Sequence, residues 1–153
     1  MKILVLSDSH GFKDYLLSAV ETESPDMIFH LGDNKKDCEV VEKKYPQIPL
    51  RSVKGNCDTF SHGLDFDEFT LEGKRFFMTH GHLFGVKTDK AGILNSAFNR
   101  NADVLLFGHT HIPYYTVKDN LVVVNPGSLS SAEKNYAVLE LKNGDVSCEL
   151  KVL

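Results

Sequence analysis

The 153-residue sequence has few cysteines and no long apolar run. Its three cysteines, Cys38, Cys57 and Cys148, are widely spaced and form no C-x-x-C pair, which argues against a disulfide framework and against a cysteine zinc site. No apolar stretch approaches the roughly 18 residues that cross a bilayer, and the first residues lack the long apolar region of a signal peptide. We therefore expect a cytoplasmic protein without a membrane partner.

The chain also lacks an excess of basic residues. Its 17 Lys and Arg residues are outnumbered by 21 Asp and Glu residues, and the formal net charge is −4 at pH 7. No basic run appears, so no groove for a nucleic-acid backbone is indicated. With 42% hydrophobic residues, the chain can bury a core as a single domain over residues 1–153. A homo-oligomer stays open, and seven histidines stand out in this small acidic chain.

Short apolar runs alternate with helix-period stretches early in the chain, a pattern typical of a layered α/β domain. Strands are predicted at 2–7, 27–31, 50–54, 66–71, 75–79, 104–107, 114–117, 121–124, 136–141 and 146–152, and helices at 11–23, 36–44 and 88–99. Helical crossovers between the first three strands predict parallel pairing. Glu72-Gly73-Lys74 and Asn143-Gly144 predict hairpin turns. The predicted fold class is α/β, with two mixed sheets packed face to face and helices outside.

Five polar clusters directly follow five of the predicted strands. They are Asp8-Ser9-His10, Gly32-Asp33-Asn34, Gly55-Asn56-Cys57-Asp58, His80-Gly81-His82 and Gly108-His109-Thr110-His111. Loops at the carboxyl ends of parallel strands converge, so these side chains should meet at one edge. Taken singly, most of these clusters are more often a turn, a helix cap or a structural histidine, whereas the two imidazoles of the last cluster suit two adjacent ions or one chelate. Together they supply imidazole and oxygen donors, which favour Mn²⁺, Fe²⁺, Co²⁺, Ni²⁺ or Zn²⁺.

In this order, the five motifs resemble the signature of the calcineurin-like metallophosphoesterase superfamily. The resemblance runs from Asp8 to Asn125-Pro126-Gly127-Ser128 and is closest to the small single-domain phosphodiesterases of bacteria and archaea. It implies a two-sheet α/β/β/α sandwich and two divalent metal ions, with Mn²⁺ expected and Ni²⁺, Co²⁺, Fe²⁺ or Zn²⁺ as alternatives. By the resemblance, one ion is held by Asp8, His10 and His111, the other by Asn56, His80 and His109, and Asp33 bridges the two.

The activity that the resemblance implies is hydrolysis of a small-molecule phosphodiester. A metal-bridging hydroxide would attack phosphorus in line, without a covalent enzyme intermediate, and Asn56, His80 and Asp33 would be catalytic residues as well as ligands. Asn34 and His82 are candidate contacts to the substrate phosphate. The alternatives are a helix cap for Asn34 and a partner that orients a metal ligand for His82.

Two departures from the family pattern bear on the substrate. Larger phosphatase relatives have Gly-Asn-His at the third motif, where the histidine assists departure of the leaving group, but here Cys57 takes its place. This argues against efficient hydrolysis of monoesters. Many relatives also continue from the Asn-Pro-Gly-Ser motif to a Pro-Arg pair, whereas this chain continues with Leu129-Ser130-Ser131. No arginine contact to the substrate is therefore expected.

Two other functions are compatible with the same fold. The retromer scaffold subunit shares the fold but has lost the histidine of the first motif, whereas this chain keeps His10 and every other ligand position. The intact ligand set favours an enzyme over such a protein-interaction scaffold. A phosphomonoesterase is the third possibility, and Cys57 argues against it.

Several aromatic residues and histidines lie near the clusters without belonging to them. His30 lies inside an apolar strand and is predicted to be a core residue, whereas His62 is predicted on an exposed loop. Phe12, Phe60 and Phe84 each follow a ligand cluster by a few residues. They are candidates for an apolar rim around an organic substituent, and we expect at least one of them to pack in the core instead.

Overall fold

A computed structural model describes all residues, 1–153, as ten β-strands and three α-helices. The strands are β1 (Lys2–Leu6), β2 (Met27–His30), β3 (Leu50–Ser52), β4 (Phe66–Leu71), β5 (Lys74–Thr79), β6 (Val104–Leu106), β7 (Tyr114–Lys118), β8 (Leu121–Asn125), β9 (Asn135–Lys142) and β10 (Asp145–Val152). The α-helices are α1 (Lys13–Glu23), α2 (Glu39–Lys44) and α3 (Ala91–Asn99), and 3₁₀ turns cover Lys35–Cys38 and His82–Phe84. No helix has the length and apolar character needed to cross a bilayer.

The strands form two mixed sheets of five strands each. The first has the order β10-β9-β1-β2-β3, and β1, β2 and β3 run parallel, as the crossovers predict. The second has the order β4-β5-β6-β8-β7, with β5, β6 and β8 parallel. The hairpins β4–β5 and β9–β10 lie where the turn residues predict them. At the second hairpin Asn143 and Gly144 have φ values of 54° and 82°, because two-residue hairpin turns require left-handed backbone.

Side chains from the two sheets interdigitate in a central core. Because alternate strand residues point to opposite faces, Ile3 and Val5 of β1 meet Phe76 and Met78 of β5 in this core. Leu4 of β1 faces the other way and packs with α1 and α2. A third cluster joins α3 to the outer face of the second sheet. The layers are helix, sheet, sheet and helix, which confirms the predicted sandwich.

The helices begin later than the apolar periodicity predicts. Helix α1 starts at Lys13 and not at residue 11, because His10 and Gly11 have positive φ values of 44° and 92°, which interrupt a right-handed helix. Helix α3 starts at Ala91, whose amide donates to Asp89 Oδ1, an acceptor that satisfies one of the free amides of the first turn. In both places local hydrogen bonding and backbone conformation override the hydrophobic pattern.

Candidate metal centre

The five polar clusters meet at one edge of the sandwich, beyond the carboxyl ends of β1, β2, β3, β5 and β6. Main-chain hydrogen bonds link the clusters within each sheet, from Asp8 N to Gly32 O and from Gly108 N to His80 O, both at 3.0 Å. The imidazole of His80 connects the two sheets, since its Nδ1 lies 2.8 Å from Leu31 O. The convergence expected from parallel strands is therefore present, and it involves both sheets.

Six of the seven predicted metal ligands form one cluster of carboxylates and imidazoles. Asp8 Oδ1 lies 3.0 Å from His111 Nε2 and 3.9 Å from the Nε2 atoms of His10 and His80. Asp33 Oδ2 lies 3.7 Å from His10 Nε2 and 3.5 Å from His80 Nε2. The sixth member is His109, whose Nδ1 lies 3.1 Å from His80 Nε2.

The donor atoms of this cluster divide into three compact sets. The sets are Asp8 with His10 and His111, Asp33 with His80 and His109, and His10 with Asp33 and Cys57; within each set all donor atoms lie within 4.8 Å of one another. The first two correspond to the two ion sites that the family resemblance implies, apart from Asn56. The third set places Asp33, a member of the second set, next to His10, a member of the first. A carboxylate that bridges two ions has to lie between their two ligand sets in this way.

Asn56 is the one predicted ligand that is not joined to the cluster by a close contact of its side chain. It is exposed, and its Nδ2 lies 3.5 Å from Cys57 Sγ. Its turn is nevertheless held against the centre, because the amide of Cys57 donates to Asp33 Oδ1 at 2.8 Å. The role of Asn56 as a ligand stays a prediction.

One buried oxygen tests whether these residues fit a metal ion. Asp8 is fully buried and its Oδ1 has no hydrogen-bond partner, although His111 Nε2 lies 3.0 Å from it. Its Oδ2 accepts hydrogen bonds from Ser7 Oγ and from the amide of His109. A buried carboxylate oxygen without a donor is costly. A cation that is shared with the neighbouring imidazoles supplies the missing partner, so the donor set fits a divalent metal ion.

The backbone at the centre is strained. Asp8, His10, Asp33, Asn34, His109 and His111 all have φ values between 44° and 67°. Left-handed backbone costs a non-glycine residue roughly 1 kcal/mol or more, and such residues concentrate at functional sites. The surrounding hydrogen bonds must therefore hold the ligands in conformations that they would not adopt alone.

Asp58 provides several of these hydrogen bonds. It is buried, and its Oδ2 accepts the amides of Asp33 and Gly55, both at 2.9 Å, while its Oδ1 accepts the amide of Lys35 at 3.0 Å. The second and third motifs are thereby fastened together. The sequence shows Asp58 only as part of the Gly-Asn-x-Asp motif, and its contacts identify it as the residue that positions Asp33.

Asp37 plays the same part for the first motif, and the sequence analysis missed it. Its buried Oδ2 accepts hydrogen bonds from Ser9 Oγ and from the amide of Gly11, both at 2.7 Å. These bonds fix the loop that carries His10. No local pattern distinguishes Asp37 from the other charged residues of its segment, so only the fold reveals the contact.

The Asn-Pro-Gly-Ser motif secures the first and last clusters. Asn125 Nδ2 donates to Gly108 O at 2.8 Å and to Thr110 Oγ1 at 3.0 Å. Ser128 Oγ donates to Asp8 O at 3.0 Å. The motif could be found from the family resemblance, but its role in orienting Asp8 and the Gly108–His111 loop comes from the structure.

Two glycines are required by close approach of the loops. A Cβ atom at Gly55 would overlap Asp33 Oδ1, and one at Gly108 would overlap Ser7 Oγ. Any larger residue would displace Asp33 or the hydroxyl that holds Asp8. These glycines therefore set how closely the ligands approach one another.

The pKa shifts favour the protonation states that bind metals. Burial, together with the neighbouring His80, lowers the pKa of His109 to about 4, so this imidazole is neutral at neutral pH. For Asp33, burial opposes ionisation, but the hydrogen bond from the Cys57 amide and the proximity of His80 outweigh it and lower the pKa. A neutral imidazole and an ionised carboxylate are the forms that coordinate divalent ions.

The two candidate substrate contacts lie beside the ligands. The ring centre of His82 is 5.4 Å from that of His80, and its buried Nδ1 has no hydrogen-bond partner. Burial lowers the pKa of His82, and His80 lowers it further. Asn34 follows Asp33, and its side chain makes no helix-capping hydrogen bond. The capping alternative for Asn34 is therefore not what the structure shows.

His30 and His62 lie outside the ligand cluster, as predicted. His30 is fully buried, with its Nε2 3.2 Å from Ser9 Oγ and its Nδ1 accepting the amide of Gly32 at 3.3 Å. It thereby contacts one residue in each of the loops that carry the first two motifs. His62 is exposed and lines a cavity next to the centre.

Comparison with known proteins identifies the family. Residues 1–144 match the model of the calcineurin-like phosphoesterase superfamily domain. The chain is 33% identical over 150 residues to YsnB of Bacillus subtilis, a probable metallophosphoesterase, covering 94% of this chain and 86% of that protein. It is 26% identical over 145 residues to the phosphodiesterase MJ0936 of Methanocaldococcus jannaschii, covering 83% of each.

A solved structure shows the same fold in another protein. The crystal structure of Vps29 in complex with zinc, from Entamoeba histolytica, matches over 99% of both chains with a TM-score of 0.76. At 19% identity this likeness concerns the fold alone. The family match, the two curated relatives and the donor cluster confirm the resemblance seen in the motifs: the chain belongs to the calcineurin-like phosphoesterase superfamily and is a metal-dependent phosphoesterase.

Proposed function

We propose that the protein is a cytoplasmic, single-domain phosphodiesterase that uses two divalent metal ions. One ion is held by Asp8, His10 and His111, the other by Asn56, His80 and His109, and Asp33 is shared. The observation that carries this proposal is the arrangement of the donor sets, in which Asp33 belongs to the set of His80 and His109 and also lies beside His10. The unpartnered Oδ1 of Asp8 adds a second indication of a cation.

When bound, the two ions would neutralise the phosphoryl oxygens, orient the ester for in-line displacement and lower the pKa of the attacking water. The chain supplies the geometry. Asp58 accepts the main-chain amide of Asp33, and the Cys57 amide donates to the Asp33 carboxylate, so both the backbone and the side chain of Asp33 are held. His82 lies beside His80, with ring centres 5.4 Å apart, and is the candidate contact to a phosphoryl oxygen. We propose Mn²⁺ as the metal, because an imidazole-rich set suits transition metals better than Mg²⁺.

Cys57 supports a diester over a monoester. Burial and the adjacent Asp33 raise the pKa of this thiol to about 11. A group with such a pKa is a poor proton donor near neutral pH, because general acids work best when their pKa is near the working pH. The chain thus places no efficient acid at the position where larger relatives have a histidine. The naming of the relative MJ0936 as a phosphodiesterase points the same way.

The test is hydrolysis of bis(p-nitrophenyl) phosphate by chelator-treated protein before and after addition of Mn²⁺ or Mg²⁺. We expect the stripped protein to be inactive, Mn²⁺ to restore more activity than Mg²⁺, and p-nitrophenyl phosphate to be a much poorer substrate. His109→Ala and His111→Ala should each lose turnover together with bound metal, measured by elemental analysis. Full activity of the stripped protein, or normal rates and metal content in both variants, would refute the two-metal site.

A non-catalytic scaffold is the second candidate, because the Vps29 structure shows that this fold and a bound zinc ion also occur in a protein named for sorting. The intact ligand cluster, including His10, favours the enzyme. Two bound metal ions without turnover of any diester would favour the scaffold.

A further inference from the structure

A cavity of about 510 Å³ opens beside the metal centre, between the Lys35–Glu42 segment and the Cys57–His62 loop. Its volume falls within the range of roughly 300–1,000 Å³ that is typical of small-molecule sites. The cavity and the centre share a wall, since Cys57 lines the cavity while its Sγ lies within 4.8 Å of donor atoms of His10 and Asp33. The cavity therefore adjoins the place where a substituent of a bound phosphodiester would lie.

Phe60 is an exposed aromatic side chain in the wall of this cavity. Of the three aromatic residues that follow ligand clusters, Phe84 packs edge-on against Phe77, and Phe12 stacks on Tyr15 at 5.2 Å. Phe60 is fully exposed and contacts no other ring and no cation. A phenyl ring left in water forgoes a substantial hydrophobic stabilisation. A flat apolar group in the cavity would recover it by stacking.

The loop that carries Phe60 is braced and not free to fold onto the core. Ser61 N donates to Asp58 O at 2.8 Å, and Thr59 Oγ1 donates to Asn56 O at 3.2 Å. The far end is tied by Lys35 Nζ, which donates to His62 O at 2.8 Å. These contacts fix the main chain on both sides of Phe60, which lines the cavity with its ring exposed.

The charges of the cavity wall indicate an uncharged substituent with N–H donors. Lys35 and Asp58 are already engaged by main-chain groups. Lys36, Glu39 and Glu42 also line the cavity and form no ion pair, so the wall carries two positive charges and three negative ones. Such a wall disfavours an anionic group, and its carboxylates accept hydrogen bonds from amino groups. Stacking on an aromatic ring and N–H donors at the edge are together characteristic of a nucleobase.

We propose that this cavity binds a nucleobase carried by one substituent of the phosphodiester, with Phe60 as the stacking residue. The proposal rests on the phosphodiesterase function proposed above and adds the substrate class. Phe60 would act on substrate affinity and not on the chemical step, because it lies outside the ligand cluster.

The test compares two ligands that differ only in the base. Binding of adenosine 5′-monophosphate and of ribose 5-phosphate to Mn²⁺-loaded protein is measured by titration calorimetry. Stacking of one base on an aromatic side chain changes a dissociation constant by about tenfold to a hundredfold. We expect the nucleotide to bind at least about tenfold more tightly than the sugar phosphate, and Phe60→Ala to remove most of that difference while leaving ribose 5-phosphate unaffected.

Two controls separate stacking from general damage. Phe60→Tyr keeps an aromatic ring and should retain the preference for the nucleotide, and Tyr115→Ala removes an exposed ring on the edge strand β7 and should change neither affinity. Equal affinities of the wild type for the two ligands, or equal losses of affinity for both ligands in Phe60→Ala, would overturn the proposal.

Chelator-sensitive hydrolysis of bis(p-nitrophenyl) phosphate is measured on the same samples. If that activity persists while the nucleotide preference is absent, only the cavity assignment is refuted. If that activity is absent, the phosphodiesterase function itself is refuted.

Discussion

Replacing Asp58 should destabilise the protein and weaken metal binding, although this residue is not a predicted ligand. Its carboxylate is buried and accepts three main-chain amides, those of Asp33, Gly55 and Lys35. The first two amides belong to the motifs that carry Asp33 and Asn56. Without the carboxylate, both loops lose the bond that keeps Asp33 in its strained left-handed conformation.

The expected magnitude follows from the three hydrogen bonds. A buried donor left without an acceptor costs about 1–3 kcal/mol, and the bonds to Asp33 and Gly55 are buried whereas that to Lys35 is partly buried. Asp58→Ala should therefore lower the free energy of unfolding by about 3–5 kcal/mol, a large share of the roughly 5–15 kcal/mol typical of a domain. In Asp58→Asn one oxygen can still accept two amides while the new NH₂ group faces the third, so the cost should be about 1–2 kcal/mol.

The assay is urea unfolding of the chelator-treated variants, followed by calorimetric titration with Mn²⁺. Loss of a residue that orients a metal ligand commonly lowers metal affinity by about 10–100-fold, and we expect a loss in that range for Asp58→Ala. Asp26→Ala is the matched control, because Asp26 also accepts a main-chain amide, that of Lys2 at 2.7 Å, but at an exposed position. A cost below about 1 kcal/mol for Asp58→Ala, or an unchanged affinity for Mn²⁺, would refute the reasoning.

Three further predictions concern individual residues of the centre. Mn²⁺ should raise the melting temperature of the wild type but hardly that of Asp33→Asn, because clustered carboxylates repel one another until cations bind; equal shifts in scanning calorimetry would remove Asp33 from its bridging place. Cys57→Ala should change the hydrolysis rates of aryl and alkyl diesters by similar small factors, and a selective loss on alkyl diesters would identify Cys57 as the proton donor. Burial lowers the pKa of His30 to about 4, below the value of about 6.5 in unfolded chains, so the unfolded state binds more protons between these pH values and stability falls as the pH drops from about 6.5 to 4. In His30→Ala the dependence of unfolding free energy on pH should be flatter over that range, with turnover of the folded enzyme retained; parallel pH curves for the two proteins would contradict this account.

The sequence by itself determined the layers and the location of the centre. Alternation along β1, with Ile3 and Val5 on one face and Leu4 on the other, already indicates a strand buried on both sides, because side chains alternate with a period of two. The polar clusters follow these apolar runs directly, and parallel strands bring their carboxyl ends to a common edge. Local order along the chain was therefore enough to predict which loops meet.

The tertiary structure alone decided how the ligands are held. Apart from the local bond between Asp58 and Gly55, the contacts of Asp37 and Asp58 join residues 23 to 28 positions apart in the chain, and no local pattern predicts which distant amide a given carboxylate accepts. The left-handed backbone of Asp8 and His10 runs against the intrinsic preference of both residue types, so it exists only because the assembled hydrogen bonds outweigh its cost.

The same holds for the aromatic residues beside the centre. Phe60 and Phe84 each follow a ligand cluster by a few residues, yet Phe84 packs against Phe77 whereas Phe60 stands exposed at a cavity. Hydrophobicity drives both rings equally towards burial, and it does not specify a direction. Which ring reaches the core depends on the volume left between elements that pack together from distant parts of the chain, and that volume is set only when the whole fold has formed.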